Sequence, residues 1–358
     1  MSQNPLNILV VGCGNMGTSH ARAYHKLDDF NIVGLVSRGD SKKRLSDELG
    51  GLPLFDDYET ALAKTKPDAV CISTYPGTHA EYSMKALEAG AHVFVEKPLA
   101  ETVEEAEAVV NASKKAEKKV VVGYILRHHP GWKEFIDQAQ TLGKPLVMRM
   151  NLNQQSSGSE WNVHKHIMES MSPIVDCGVH YVDVMCQMTK ATPVSVHAIG
   201  ARLSDEIDEN QYNYGQLQVR FDDGSVGWYE SGWGPMISEQ AYFVKDVIGP
   251  KGSVSIRKNT FDQPQGASAD ISEHTTVNQL HLHSSKTDRN GKLVSEDRIM
   301  DTPEQPGHDE LCFLEQEYFL NAIKNNLDLS DHLQEVVDTL KIVLASDESV
   351  KTGKAVDL

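Results

Sequence analysis

The chain has 358 residues, enough for two domains at ~150 residues each, and its 40% hydrophobic content fits a globular protein with a substantial core. Lys and Arg total 34 against 51 Asp and Glu, a formal charge of -17. So acidic a chain has no electrostatic footprint for a nucleic-acid backbone or an anionic membrane surface, which excludes both as partners.

The first residues, MSQNPLN, lack the charged and apolar regions of a secretory signal. No apolar run approaches the ~20 residues that span a bilayer. The five cysteines (Cys13, Cys71, Cys177, Cys186, Cys312) are odd in number and form no CxxC pair. They read as reduced thiols of a cytoplasmic protein, and none reads as catalytic.

Residues Ile8–Gly17 read ILVVGCGNMG. An apolar, β-branched run ends in Gly12-x-Gly14-x-x-Gly17, and a helical pattern through Ala21, Tyr24 and Leu27 follows at once. This strand–turn–helix context is what gives the glycine pattern meaning as a dinucleotide-binding turn. Gly12 permits the tight turn, Gly14 lets backbone approach a pyrophosphate, and Gly17 lets the helix pack on the strand. The N–H groups around Asn15 and Met16 would then hold the phosphates.

Strand patterns follow at Asn31–Val36, Ala69–Thr74, His92–Lys97 and Val120–Ile125. Helical patterns lie between them at Ser41–Leu49, Tyr58–Lys64, His79–Ala89 and Thr102–Lys118, the last opening on a Thr102-x-x-Glu105 capping box. The alternation predicts a parallel sheet covered on both faces, with ligands at the carboxyl ends of its strands. After the second strand, where an Asp or Glu commonly holds the ribose, stand Ser37 and Arg38. A hydroxyl and a guanidinium suit a 2′-phosphate, so NADP is favoured over NAD, although Asp40 is near enough to turn toward a ribose.

His92–Lys97 runs into Glu96-Lys97-Pro98, and Pro98 biases Lys97 away from the helical region, aiming its ammonium into the cleft. Taken alone, the pattern also fits a solvated charge pair before a turn.

Beyond about Gly123 the pattern changes. A helix is predicted over Trp132–Gln140, then period-2 segments at Leu146–Leu152, Val194–Gly200, Tyr212–Phe221, Val226–Glu230 and Tyr242–Ile248. Asp222-Asp223-Gly224 and Asn290-Gly291 read as hairpin turns. These features predict an α+β domain on a largely antiparallel, open-faced sheet. The polar stretch 258–306 reads as exposed strands and loops, and helices at His308–Lys324 and Asp331–Val350 close the chain. The expected division is 1–125 for an N-terminal Rossmann domain and 126–358 for an α+β substrate-binding and oligomerisation domain.

Between those segments lies Ser172-Pro-Ile-Val-Asp176-Cys-Gly-Val-His180-Tyr-Val-Asp183. Ser172 can cap a helix that begins at Pro173, putting Asp176 and His180 four apart on one face. A first-turn carboxylate is favoured by the helix dipole and can orient an imidazole for acid–base work. A plain i,i+4 surface pair has the same spacing. His164/His166 and His281/His283 lack the carboxylates or cysteines that would complete a zinc site, so no metal is expected.

In this order and at these separations, Gly12–Gly17, Glu96-Lys97-Pro98 and Asp176-x-Gly178-x-His180-x-x-Asp183 resemble the glucose–fructose oxidoreductase/inositol dehydrogenase (Gfo/Idh/MocA) family. Further matches are Thr74 with His79, Gly123-Tyr124 with Arg127, and the ending at Glu317–Lys324. The resemblance implies an NAD(P)-dependent oxidoreductase acting on a carbinol or carbonyl carbon of a sugar, polyol or cyclitol. It implies His180 as acid–base residue, Asp176 as its orienter and Lys97 as support for the reacting oxygen. Thr74, His79, Glu96 and Lys97 would join the cofactor contacts, and Tyr124, Arg127 and Trp161 the substrate contacts. A homodimer or homotetramer is implied as well. Tyr75-Pro76 departs from the family's Pro-Asn, and Met171-Ser172-Pro173 from its glycine run. A non-catalytic dinucleotide sensor of the same fold is the competing class, and an enzyme acting on an imine, a diene-sugar product or a bile pigment is a third reading.

Overall fold

A computed structural model describes residues 5–239, 243–257, 274–302 and 305–358. The chain divides into two units: residues up to Ile125 with Pro306–Val337, and Leu126–Gln305 with Asp338–Leu358.

The first unit alternates β1 (Leu6–Val11), α1 (Asn15–Lys26), β2 (Phe30–Val36), α2 (Ser41–Glu48), β3 (Leu54–Phe55), α3 (Tyr58–Thr65), β4 (Ala69–Ile72), α4 (His79–Glu88), β5 (His92–Val95), α5 (Val103–Ala116) and β6 (Val120–Val122). The strands pair in parallel in the order β3-β2-β1-β4-β5-β6. A sheet buried on both faces needs unbroken apolar strands, and β4 and β6 are buried along their whole lengths. Strand order reverses between β1 and β4, the switch point where ligands of such sheets bind. Three strands end earlier than their apolar patterns predicted. Ser73-Thr74, Glu96-Lys97 and Gly123-Tyr124 leave the sheet as carboxyl-end loops. The short strand β3 was not legible, since two residues carry no period. The expected capping box is present, with Thr102 and Glu105 exchanging 3.2 Å backbone-to-side-chain bonds.

The second unit holds α6 (Pro130–Thr141), β7 (Val147–Gln155), α7 (Gly158–Met168), α8 (Pro173–Asp176), α9 (Gly178–Thr189), β8 (Pro193–Ala201), β9 (Tyr214–Phe221), β10 (Val226–Gly234), β11 (Lys245–Gly249), β12 (Gly252–Arg257), β13 (Gln279–Ser284) and β14 (Arg298–Asp301). Among the described residues its sheet runs β14-β13-β12-β11-β7-β10-β9-β8-β15, where β15 is Val356–Asp357. The sheet is largely antiparallel, as expected, with one parallel pair: β7 and β10 over Val147–Gln155 and Val226–Gly234. Period-2 patterning gives inward and outward faces but not strand direction.

Alternation along these strands buries Met148, Met150, Leu217, Val219 and Tyr229 on one face. The other carries Arg149, Trp228 and Gln218 in register. Tyr242, the start of one predicted strand, lies outside the described residues, and the described strand there is β11. Asp222-Asp223-Gly224 does join β9 to β10, and Gly291 sits in a turn at φ 80.

The chain closes with α10 (His308–Lys324) and α11 (Ser330–Thr352). Phe319 and Ala322 of α10, with Leu329, belong to the apolar cluster of Ile8, Val10, Leu35 and Phe94. Residues 306–337 therefore complete the first unit, whereas the sequence reading assigned all of 126–358 to the second. The apolar stripe of α10 does not reveal which sheet it covers. No helix among the described residues is long and apolar enough to cross a membrane.

Candidate active site

Gly12 follows β1 at φ +93, and a Cβ there would lie 2.2 Å from the Ser73 carbonyl oxygen. A Cβ on Gly17 would lie 1.9 Å from the Gly12 oxygen, so α1 can pack this close only with glycine. Gly14 differs: a Cβ there would meet nothing within 4 Å. It is exposed, as is Asn15, and Met16 is half-buried. Gly14 caps α1 without a side-chain hydrogen bond, and the first turn carries no acidic residue. No cap or first-turn carboxylate of this helix satisfies its leading N–H groups, an arrangement that fits a dinucleotide pyrophosphate.

Around this turn the other strands deliver their loops. After β2, Ser37 Oγ contacts Ser41 Oγ at 3.4 Å. Arg38 is exposed, and its guanidinium makes no ion pair or hydrogen bond among the described residues. After β4, Thr74 Oγ1 and Thr78 Oγ1 are 2.7 Å apart, and Tyr75 stands 81% exposed. After β5, Glu96 is buried and Lys97 half-buried, joined to Pro98 by a cis peptide. Tyr124, after β6, is buried.

His79 links two of these loops. Its Nδ1 lies 2.7 Å from the Pro98 carbonyl and its Nε2 3.0 Å from the Thr74 carbonyl. It is only 1% exposed, and burial outweighs those carbonyls in lowering its pKa. The ring ties the β4 loop to the β5 loop through both nitrogens.

Glu96 Oε1 lies 2.7 Å from His20 Nε2, and Glu96 Oε2 accepts from the Lys97 N–H at 3.2 Å. Burial opposes the carboxylate, but the His20 hydrogen bond and the nearby Lys97 charge hold its pKa below the usual value. Beside it, Glu315 of α10 is buried with both oxygens unpartnered. Burial, then the Glu96 charge, push its pKa well above the usual value, favouring the neutral acid. Ligand atoms of His20, Cys312 and Glu315 lie within 4.8 Å of one another, yet both His20 nitrogens are engaged, with Glu96 and with Gln316. Sequence reasoning missed His20, Glu315 and Gln316. The available signal was a histidine between the apolar positions of α1.

In the second unit, Ser172 caps α8 as expected, its Oγ accepting from Val175 N–H at 3.2 Å. The predicted single helix is divided at Cys177. The His180 N–H bonds the Cys177 carbonyl three residues back at 3.2 Å, so Asp176 and His180 are not one unbroken α-turn apart. Gly178 explains why the segment lies where it does: a Cβ there would sit 2.8 Å from the Tyr229 ring. Asp176 and His180 are both half-buried, and the Nδ1 of His180 is fully buried. His164, another residue not foreseen, stacks on Trp233 at 4.4 Å. Burial lowers its pKa while the Asp176 charge opposes that shift.

Two residues expected at the substrate have partners within the second unit. Trp161 is 4% exposed in an apolar cluster with Met168, Ile207 and Trp233. Arg127 pairs at two points with Asp183, which also accepts from Gln187 at 2.9 Å.

Two family models match the chain: "Oxidoreductase family, NAD-binding Rossmann fold" over residues 6–124, and "GFO/IDH/MocA C-terminal domain" over residues 133–255. The chain belongs to the Gfo/Idh/MocA family, and it is an oxidoreductase. This oxidoreductase is 23% identical to D-glucoside 3-dehydrogenase of Escherichia coli (strain K12), over 100% of this chain and 99% of that one. It is 28% identical to scyllo-inositol 2-dehydrogenase (NAD(+)) of Bacillus subtilis (strain 168), over 71% and 74% of the two chains. Its fold matches scyllo-inositol dehydrogenase from Lactobacillus casei, solved with NAD(H) and scyllo-inositol, at a TM-score of 0.76, 21% identity and 99% coverage of each chain.

Proposed function

We propose that this oxidoreductase is an NAD(P)-dependent dehydrogenase acting on a carbinol carbon of a sugar, polyol or cyclitol. One observation carries the reading: the uncapped glycine turn after β1 and the half-buried Lys97 after β5 lie at the same end of one parallel sheet. A bound nicotinamide supplies the hydride acceptor. Oxidising a carbinol also requires loss of its hydroxyl proton, and His180 is the base assigned to take it. Asp176 orients that imidazole, and the Lys97 ammonium hydrogen-bonds the same oxygen as negative charge develops there. The glucoside and inositol dehydrogenases among the relatives support this substrate class.

NADP is the preferred cofactor in this reading. The two inositol dehydrogenases named above are described with NAD, but here an exposed Arg38 stands beside Ser37 where a 2′-phosphate would lie. The chain also self-associates through the open sheet face, where Val147, Val226, Ile248 and Ile199 are each more than a third exposed. Light scattering that finds only a monomer at micromolar concentration removes that claim.

The deciding experiment incubates the full chain with a panel of sugars, inositols and their keto forms, with NAD(H) and NADP(H), and follows near-ultraviolet absorbance. Turnover of a polyol or its ketone supports the reading. Tight cofactor binding with no turnover across the panel overturns it in favour of a sensor.

A further inference from the structure

The oxidoreductase reading places Lys97 at the reacting oxygen but leaves its support unexplained. A line of hydrogen bonds inside the first unit ends at its peptide. The buried Tyr24 hydroxyl donates to Gln316 Oε1. Gln316 Nε2 lies 3.0 Å from His20 Nδ1, and His20 Nε2 lies 2.7 Å from Glu96 Oε1. Glu96 Oε2 accepts from the Lys97 N–H.

The direction of this line is fixed by chemistry. Burial keeps the Tyr24 phenol protonated, so it donates and orients the Gln316 amide. An amide nitrogen can only donate, so His20 Nδ1 must accept. The ring then carries its hydrogen on Nε2 and gives it to Glu96. An imidazolium would set Nδ1–H against the amide N–H.

We infer that His20 and Gln316 are positioning residues: they hold the Glu96 carboxylate, and through it the Lys97–Pro98 turn, in the geometry the reaction uses. The inference rests on the role proposed for Lys97. Four features are consistent with it. Gln316 and His20 are both 0% exposed, so no water competes for their bonds. Gly123 packs against Glu96, a Cβ there lying 3.3 Å from its carboxyl atoms, which holds the carboxylate from the β6 side. Phe94 meets the His20 ring edge-on at 4.8 Å, fixing its plane. The ionisable groups facing Glu96 are His20, His79, Lys97, Glu315, Cys71 and Cys312. Burial makes the last three poor anions, which leaves Glu96 as the buried negative charge of this cluster.

Two experiments on the full chain test the inference. The first needs no substrate. With ¹⁵N-labelled histidine, the His20 ring signals are identified by their loss in His20→Gln. They should report the neutral tautomer with hydrogen on Nε2, and a hydrogen on Nδ1 overturns the relay. The second uses whichever panel substrate the wild type turns over. His20→Leu should lower kcat about 10- to 100-fold and leave NADPH affinity within about twofold. It should also move the acid limb of kcat to higher pH by about one unit or more, because Glu96 loses the partner that keeps it ionised. His20→Gln keeps an N–H at the Nε2 position and should return the limb. Gln316→Met, a milder change, should move it the same way. An unmoved limb in His20→Leu, or His20→Gln behaving like His20→Leu, overturns the inference. Glu315→Gln should leave the limb in place, and a shift there assigns the titration to Glu315 instead. Should His20→Leu not fold, Gln316→Met and the tautomer decide. A wild type that turns over nothing defeats the proposed function, not the hydrogen-bond order.

Discussion

Arg127 and Asp183 form a two-point ion pair inside the second unit, with the Asp183 side chain wholly removed from solvent and the Arg127 side chain 11% exposed. Burial pushes the Asp183 carboxyl up, and the Arg127 charge works against that shift. Removing one partner leaves an uncompensated charge. Asp183→Leu should cost about 3–5 kcal/mol, and the double variant Arg127→Leu/Asp183→Leu distinctly less. Urea unfolding of the three proteins checks this. Equal losses for single and double variants would show that packing, not charge, sets the cost.

The glycine turn makes a sharper contrast. Gly17→Ala drives a Cβ into the Gly12 carbonyl and should destabilise the first unit as well as cofactor binding. Gly14→Ala meets no protein atom, so its stability should change by less than about 1 kcal/mol while NADPH affinity falls about tenfold or more. Thermal unfolding and fluorescence titration separate the two effects.

The catalytic assignment predicts that His180→Ala and Lys97→Ala each lower kcat by ~10²–10⁴-fold with cofactor affinity retained. Asp176→Asn should slow turnover less and shift the pH profile, because the imidazole loses its orienting charge. Steady-state rates decide the matter, and near wild-type turnover in His180→Ala ends this mechanism.

Arg38 tests cofactor choice. Arg38→Ala should weaken NADPH by about tenfold, roughly 1.4 kcal/mol, and leave NADH nearly unchanged, because only NADPH offers a 2′-phosphate. Equal losses would mean that Arg38 packs on the adenine.

Burial lowers the pKa of His128 to about 3 and of His129 to about 4. Both folded values lie below the ordinary 6.5, so between about pH 4 and 6.5 the unfolded chain binds protons that the fold refuses. Stability is therefore fully present above pH 6.5 and declines as pH falls toward 4. The two residues together should cost roughly 3–4 kcal/mol between pH 7 and pH 5. His129 also caps α6, its Nδ1 accepting from Gly131 N–H at 3.0 Å. The pair His128→Gln/His129→Asn keeps a cap and should flatten the decline, as read from urea midpoints at the two pH values.

Short-range chemistry made much of this protein legible from its sequence. Glycine spacing, strand period and the capping box at Thr102 are local, and they determined the βα alternation and the dinucleotide turn. The Glu96-Lys97-Pro98 and Asp176-x-Gly178-x-His180 motifs, taken with that order, determined the family. Tertiary structure alone decided the rest, because it depends on partners far apart in the chain. His20 meets Glu96 across 76 residues and Gln316 across 296. The parallel pairing of β7 with β10, the return of α10 to the first unit, and the use of His79 as a clamp all depend on which faces meet. An apolar stripe states that a face is buried but not against what, and a polar residue within it shows its role only once its partner arrives.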